Sequence, residues 1–443
     1  MKNAWTRALA ALLAGLILTA AAGAEKAAPA GAETAAPAGA ETAASAGTET
    51  AADITKACTF RLCSTKWNES LMTDGKYTSY WESQNIRNPY VIISSETPMH
   101  GLYLCFRQLP ESFELQVPAG TDEKGREIWE TLLPGETRFH HSFYELGGIS
   151  TVRICSTQKK SHKLGINELF VFGEGEIPDW VQRWEPTEEK ADILFFSAHP
   201  DDELIFLGGA IPTYAVEKGK RVVVAYLSFS NTTRRSEALN GLWAMGVRHY
   251  PEFGGFRDSY SKTAKAAYQH LGKSKVLAWV TEMYRKHQPE VVVTHDLNGE
   301  YGHGQHRMIA DAAVQGYELA ADPEKYPDSA AKYGTWQAKK LYVHLFGDET
   351  SQTRFDWNVP LESLGGKTGL EAAAAAYALH VTQEGAEVKY EGKWHRLSVE
   401  ETGSIWPNTV FGLYASEVGP DETHTDFLEH IPEEADAAEA GAE

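Results

Sequence analysis

Two hydrophobic patterns divide this chain. Between about residues 55 and 175 the apolar positions come in short runs rich in β-branched and aromatic residues: 91–93, 101–106 (GLYLCF), 113–117, 151–155 and 168–172. Gly, Pro, Asn and Asp clusters separate them, and Leu102, Leu104 and Phe106 fall on one face. Short strands at this spacing predict an all-β sandwich. From about residue 188 the pattern changes. Continuous apolar runs at 193–198 (ILFFSA), 222–227, 290–294 and 341–346 read as strands buried on both faces. Helical stretches at 204–217, 236–245, 275–287 and 307–319 lie between them. This βαβα order predicts a parallel sheet with helices on both faces, spanning 188–416. In such sheets, sites form beyond the carboxyl ends of the strands.

The first 54 residues build no core. Lys2 and Arg7 precede an apolar run over 8–22 and the small residues Ala22-Gly23-Ala24. That is the layout of a secretory signal peptide over 1–24. The run is short for a bilayer span of about 20 residues. No later stretch is long and apolar enough to cross a membrane. The expected location is therefore secreted or associated with the cell surface. An eight-residue repeat follows: AAPAGAET at 27–34 and 35–42, then AASAGTET at 43–50. It reads as a flexible linker over 25–54.

In an exported chain the four cysteines, Cys58, Cys63, Cys105 and Cys155, suggest disulfides. Three pairings are possible; the least strained is Cys58 with Cys63 and Cys105 with Cys155. The lack of C-x-x-C spacing argues against zinc on these thiols. Charge removes one class of partner. Forty-one Lys and Arg against 61 Asp and Glu give a net charge of -20, which excludes the basic footprint of a nucleic-acid binder. Ten of the acids lie in 417–443, with no Lys or Arg, and read as a solvated acidic tail.

The chemistry sits at two predicted strand ends. His199-Pro200-Asp201-Asp202-Glu203 follows ILFFSA. A second cluster over 295–306 (HDLNGEYGHGQH) follows VVVT. Together they bring several imidazoles and carboxylates toward one crevice. Such ligands suit zinc, and three protein ligands leave a position open for water. Asp201 and Asp202 are adjacent and cannot point the same way, so one acid on the metal and one on the water is a sensible division. Alternatively, the two aspartates merely cap the following helix. His295 reads as supporting or structural, His344 as a satisfied core residue, and His140-His141 as surface.

These residues resemble the LmbE/PIG-L family of zinc-dependent N-acetylglucosaminyl deacetylases, whose A-H-P-D-D-E occurs at 198–203 and whose G-H-x-x-H block occurs at 302–306. The resemblance implies a Rossmann-like catalytic domain. It implies His199, Asp202 and His306 as Zn²⁺ ligands and Asp201 as general base. His303 would stabilise the oxyanion or protonate the leaving amine, and Tyr301 would help hold the oxyanion. It implies substrate contacts from Arg234, in an Arg-x-x-Glu at a helix start, and from Asp258, in the loop 256–259. Residues 372–383 resemble the end of that domain. One departure stands out: many members carry Asp where this chain has Gln305. Neutral Gln305 can orient His303 but cannot favour its cationic form.

The region 55–175 resembles discoidin-like (F5/8 type C) jelly-roll domains through Thr73-Asp74-Gly75, Tyr80-Trp81, GLYLCF, Trp129, 152–154 and 166–173. That implies a glycan, lipid or protein ligand. Trp67, Tyr77, Tyr80, Trp81 and Trp129 are the candidates to stack on a sugar ring. The expected activity is hydrolysis of the N-acetyl amide of an N-acetylated amino sugar. The alternatives are a glycan-binding surface protein with a degenerate hydrolase domain, and a metalloamidase acting on a non-sugar N-acyl conjugate.

Overall fold

The computed structural model describes residues 49–64 and 68–432. The expected signal peptide, most of the linker and Trp67 lie outside the described residues.

The first half is all β. Its strands are β1 (Thr59–Leu62), β2 (Trp81–Glu82), β3 (Tyr90–Gln108), β4 (Phe113–Thr121), β5 (Glu127–Pro134), β6 (His141–Ser156) and β7 (Gly165–Phe172). They hydrogen-bond in the order β2-β7-β3-β6-β4-β5, with β1 also on β3, and every pair is antiparallel. The runs at 91–93 and 101–106 belong to one long strand. Register shifts near Met99 break the β3–β6 ladder into two halves. Val91, Ile93, Val152 and Ile154 from one half share a core with Leu102, Leu104, Phe106, Leu169 and Val171 from the other. The sheet thus folds over on itself into two facing layers. Tyr103 and Cys105 point the other way and are also buried, with Phe172 and Val181. That second face is covered because the rest of the molecule packs on it.

The second half is α/β. Its sheet contains β8 (Ile193–Ser197), β9 (Val222–Phe229), β10 (Glu252–Arg257), β11 (Val291–Thr294), β12 (Lys340–His344), β13 (Gln352–Arg354) and β16 (Val410–Ser416). A separate hairpin pairs β14 (Glu387–Tyr390) with β15 (Lys393–Arg396). The order is β10-β9-β8-β11-β12-β16-β13. The first five strands are parallel; β16 runs antiparallel to β12 and to β13. The sheet is therefore mixed, where the sequence pattern predicts a purely parallel one. Strand β13 (QTR) has no apolar run, and β16 (VFGLYAS), although apolar, sits beyond the predicted βα repeats. Two hydrophobic clusters, one on each face, hold the helices to it.

Several expectations need correction. The predicted helix 204–217 is broken into Asp202–Ile205, Ala210–Pro212 and a wide turn, Thr213–Glu217. Gly208 at the break has φ +59°, and a Cβ on Gly208 or Gly209 would meet Trp357 at about 3 Å. No disulfide joins the four cysteines. Cys58 and Cys63 flank extended β1. In the β3–β6 ladder Cys155 faces Tyr90 while Cys105 faces His141, at the opposite end. Residues 50–54 are not linker: Ala51 is buried and bonds Glu176, and Ile54 bonds Val171. The described part of the tail, 417–432, is anchored to the domain at two points, although much of it is exposed. Asp421 is buried against Lys340 at 2.5 Å, Asp426 accepts from Tyr214, and Phe427 enters the core. One buried lysine, one buried tyrosine hydroxyl and one aromatic ring anchor this acidic segment. Of the sugar-stacking candidates, Trp81 is fully buried, and Tyr77 is half-buried and stacked on His141. Tyr80 is exposed beneath Arg107, and Trp129 lies beside Arg153.

Candidate metal centre

Strands β8 and β11 are neighbours and parallel. From β8 the chain moves outward to β9 and β10; from β11 it moves the opposite way to β12. The crevice at this switch point opens beyond their carboxyl ends. Residues 198–203 follow one strand and 295–306 the other, so the two clusters converge there.

Asp202 is the hub. Its Oδ2 lies 2.9 Å from His199 Nδ1 and 3.2 Å from His306 Nε2, and accepts from the His199 backbone N–H at 2.9 Å. The His199 and His306 rings are 5.3 Å apart, centre to centre. The three residues assigned to the ion thus meet in one buried place. Burial disfavours charge on all of them, yet mutual attraction wins: Asp202 is held well below the usual carboxylate range, and His306 is lifted to about 9. His306 Nδ1 donates to Glu300 Oε2 at 2.7 Å, while its Nε2, buried and aimed at Asp202, makes no hydrogen bond.

Glu300 is the residue that sequence reasoning missed. Its fully buried carboxylate also meets His295 Nδ1 at 2.9 Å and His344 Nδ1 at 2.7 Å. Its place between the His-rich strand end and G-H-x-x-H was the available signal. The donor atoms of Asp202, His295 and His306 also cluster within 4.8 Å. His295 cannot serve as a ligand there, because its Nε2 already accepts from the Ala198 N–H at 3.0 Å. His344 likewise spends its second nitrogen on the Pro407 carbonyl.

Asp201 turns away from Asp202. Its φ of 112° is a backbone region that costs a non-glycine residue about 1–3 kcal/mol. Its N–H donates to Glu203 Oε2, and Glu203 in turn accepts from the Tyr226 hydroxyl at 2.7 Å. Asp201 Oδ1 pairs with Arg234 Nη2 at 2.9 Å. Burial pushes the Asp201 carboxyl up to about 6, against the pull of Arg234. Arg234, assigned to substrate from the sequence, is itself buried and held by Asp201, by the Pro200 carbonyl and by Glu237.

His303 caps the helix Gly304–Ala321: its Nδ1 accepts from the Gln305 N–H at 3.3 Å. The proton then resides on Nε2. Burial, then His306 and His199, push this ring down to about 2, so it is a neutral donor. The Gln305 side chain does not orient His303. Its Oε1 meets His199 Nε2 at 2.6 Å and accepts from Ser228, while its amide donates to the Arg257 carbonyl. A donor from His199 Nε2 to Gln305 leaves Nδ1 facing Asp202. Asp258 Oδ1 stands 3.4 Å from His199 Nε2, on the crevice wall rather than apart from the imidazoles. Tyr301, at φ 45°, sets its ring 5.2 Å from His306 and 5.7 Å from His303. Burial, then Asp202, holds its hydroxyl protonated.

The chemistry of this donor set suits a cation such as Zn²⁺. His306 offers a buried Nε2 with no hydrogen-bond partner, free to bind a cation once its proton leaves, and backed by a carboxylate on its other nitrogen, which is how metal-bound imidazoles are commonly held. His199, His303 and His306 present nitrogens within 4.8 Å of one another.

Residues 194–317 match the family model described as PIG-L: GlcNAc-PI de-N-acetylase. The chain is 30% identical over 178 residues to 1D-myo-inositol 2-acetamido-2-deoxy-alpha-D-glucopyranoside deacetylase 1 of Catenulispora acidiphila, covering 34% of this chain and 54% of that protein. The match thus spans little more than half the length of that relative. Among solved structures, the chain is similar to N,N'-diacetylchitobiose deacetylase from Pyrococcus horikoshii, at 18% identity and TM-score 0.33, over 43% of this chain and 71% of that one. It is also similar to chitosan-binding module 1 of a chitosanase/glucanase from Paenibacillus sp. IK-5, at 16% identity and TM-score 0.23, over 28% of this chain and 99% of that one.

Proposed function

We propose that this chain is a secreted, zinc-dependent deacetylase that hydrolyses the N-acetyl amide of an N-acetylglucosamine-type sugar, with a β-sandwich that engages glycan. The observation that carries the reading is the unpartnered His306 Nε2 facing Asp202 and His199, with a second acid, Asp201, one residue away on a separate tether. The PIG-L match and the deacetylase relative support the substrate class.

His199, Asp202 and His306 hold the ion. Bound there, zinc supplies Lewis acidity toward the amide carbonyl and toward water. Arg234 fixes one oxygen of Asp201, and the other takes a proton from the attacking water. A carboxyl near pH 6 is well matched to accepting that proton and later giving it up. Tyr301 and His303 Nε2–H donate to the carbonyl oxygen as it gains negative charge. The C–N bond then breaks, Asp201 returns the proton to nitrogen, and acetate and a free amine result. Asp258 and the crevice wall orient the sugar.

The test is acetate release by the purified full chain, with and without zinc, from mono-, di- and polymeric N-acetylglucosamine and from N-acetyl amino acids. The expected result is zinc-dependent release from the sugars alone. Release that survives complete zinc removal, or release only from the amino acids, overturns the reading.

A further inference from the structure

The helix Thr232–Ala244 has two occupied faces. Arg234 and Glu237 look toward the crevice: Arg234 pairs with Asp201, and Glu237 pairs with Arg234 and accepts from the Thr382 N–H and hydroxyl at 2.7 and 2.6 Å. Thr233, Arg235, Ser236 and Asn240 look toward the sandwich, and each is bonded across the seam. Thr233 donates to the Tyr77 carbonyl at 3.1 Å. Arg235 Nη2 donates to the carbonyls of Phe106 and Arg107, at the end of β3. Ser236 Oγ meets His141 Nε2, on β6, at 3.2 Å. Asn240 accepts from Gln182, whose Oε1 in turn meets His141 Nδ1 at 2.9 Å. Arg235, Ser236, His141 and Gln182 are buried, so the bonds at the centre of the seam have little competing water, while Thr233, Asn240 and Tyr77 at its margin are half-buried.

A flexibly attached glycan tether would not need this. A buried guanidinium is costly unless paired, and the donors Arg235 does satisfy, both on Nη2, go to two sandwich carbonyls, while its Nε is buried without a partner. We infer that the β-sandwich is a built-in part of the catalytic centre: through Arg235 and the His141–Ser236 contact it fixes the helix that carries Arg234, and so the position of Asp201. Arg235 and His141 are positioning residues; neither touches the reacting atoms. The link is short, because Arg234 and Arg235 are adjacent. A small roll of the helix that frees Arg235 also moves the guanidinium holding Asp201.

The inference rests on Asp201 being the base, and its test separates the two ideas. In zinc-loaded full-length protein, Arg235→Met is expected to lower kcat by about 10- to 100-fold, as misplacement of a catalytic group by about 1 Å does. KM should stay within about threefold and zinc at one per chain. Arg235→Lys, which still reaches a carbonyl, should recover much of the loss. A purely structural role would lower the folded fraction and leave kcat per zinc-loaded molecule unchanged, which would overturn the inference. Should Arg235→Met fail to fold, Ser236→Ala takes its place, with a several-fold fall in kcat expected. Calorimetry of the wild-type chain needs no activity: one cooperative transition supports the clamp, and two independent transitions sink it. A wild-type chain inactive on every N-acetyl sugar defeats the proposed function and leaves the calorimetric arm to decide the clamp.

Discussion

Two groups of buried histidines serve opposite ends in this molecule. At the crevice His199, His295, His306 and His344 are ringed by carboxylates, and His306 keeps one nitrogen without a partner. At the seam His141 has both nitrogens engaged, by Ser236, Gln182 and the Tyr103 hydroxyl, and no acid touches it. Burial alone pushes a ring toward neutrality, and His141 falls to about 3. Carboxylates reverse the sign at the crevice, where His306 rises to about 9. Solvent exclusion is shared by both places; the partners decide which one is prepared for positive charge.

The largest effect belongs to the crevice. Asp201→Asn should lower kcat/KM by about 10²- to 10⁴-fold while zinc still binds at one per chain; an unchanged rate removes Asp201 from the chemistry. Next comes Glu300→Gln, which leaves the ligands in place but weakens the carboxylate behind His306. Zinc affinity, read by competition with a chromophoric chelator, should fall by about 10- to 100-fold. His141→Leu makes the contrast. It should leave zinc affinity untouched and cost about 1–3 kcal/mol in urea unfolding, because Ser236 and Gln182 lose a buried partner. Equal zinc losses in both variants would erase the distinction between the two clusters.

The smallest effect is in pH. His141 has an ordinary pKa of 6.5 and a folded one near 3. The contribution is fully present above pH 6.5. As pH falls toward 3, the unfolded chain takes up a proton that the folded chain refuses, and stability drops by up to about 1.4 kcal/mol per pH unit. The melting temperature of His141→Gln should therefore fall less steeply between pH 7 and pH 5 than that of the wild type.

How much of this could be read from the chain depends on whether the cause was local. ILFFSA and VVVT announce buried strands because all but one residue in each is apolar, and A-H-P-D-D-E sits at a strand end that the apolar run alone locates. Strand β5 around Trp129 was missed because Glu127, Glu130 and Thr131 break up its apolar residues and none of it is buried. The adjacent His140-His141 read as surface because no local pattern reports that a helix nearly a hundred residues later will cover His141, or that Tyr250 will meet the half-buried His140. Glu300 looked like one more acid in a polar loop; only the fold shows three imidazoles closing on it. The charge of 417–443 was real, but a composition average hides the single Asp421 that neutralises Lys340.

Strand β16 lies between β12 and β13, and Phe427 is seated in the core beyond it. Every other strand of this sheet precedes them along the chain. Until they emerge, the growing chain carries an open, apolar sheet edge at β12 and a lysine with no counter-ion, both invitations to wrong partners. Closure of this half therefore waits on residues 410–427, and a truncation between β12 and β16 would leave a sheet that cannot close.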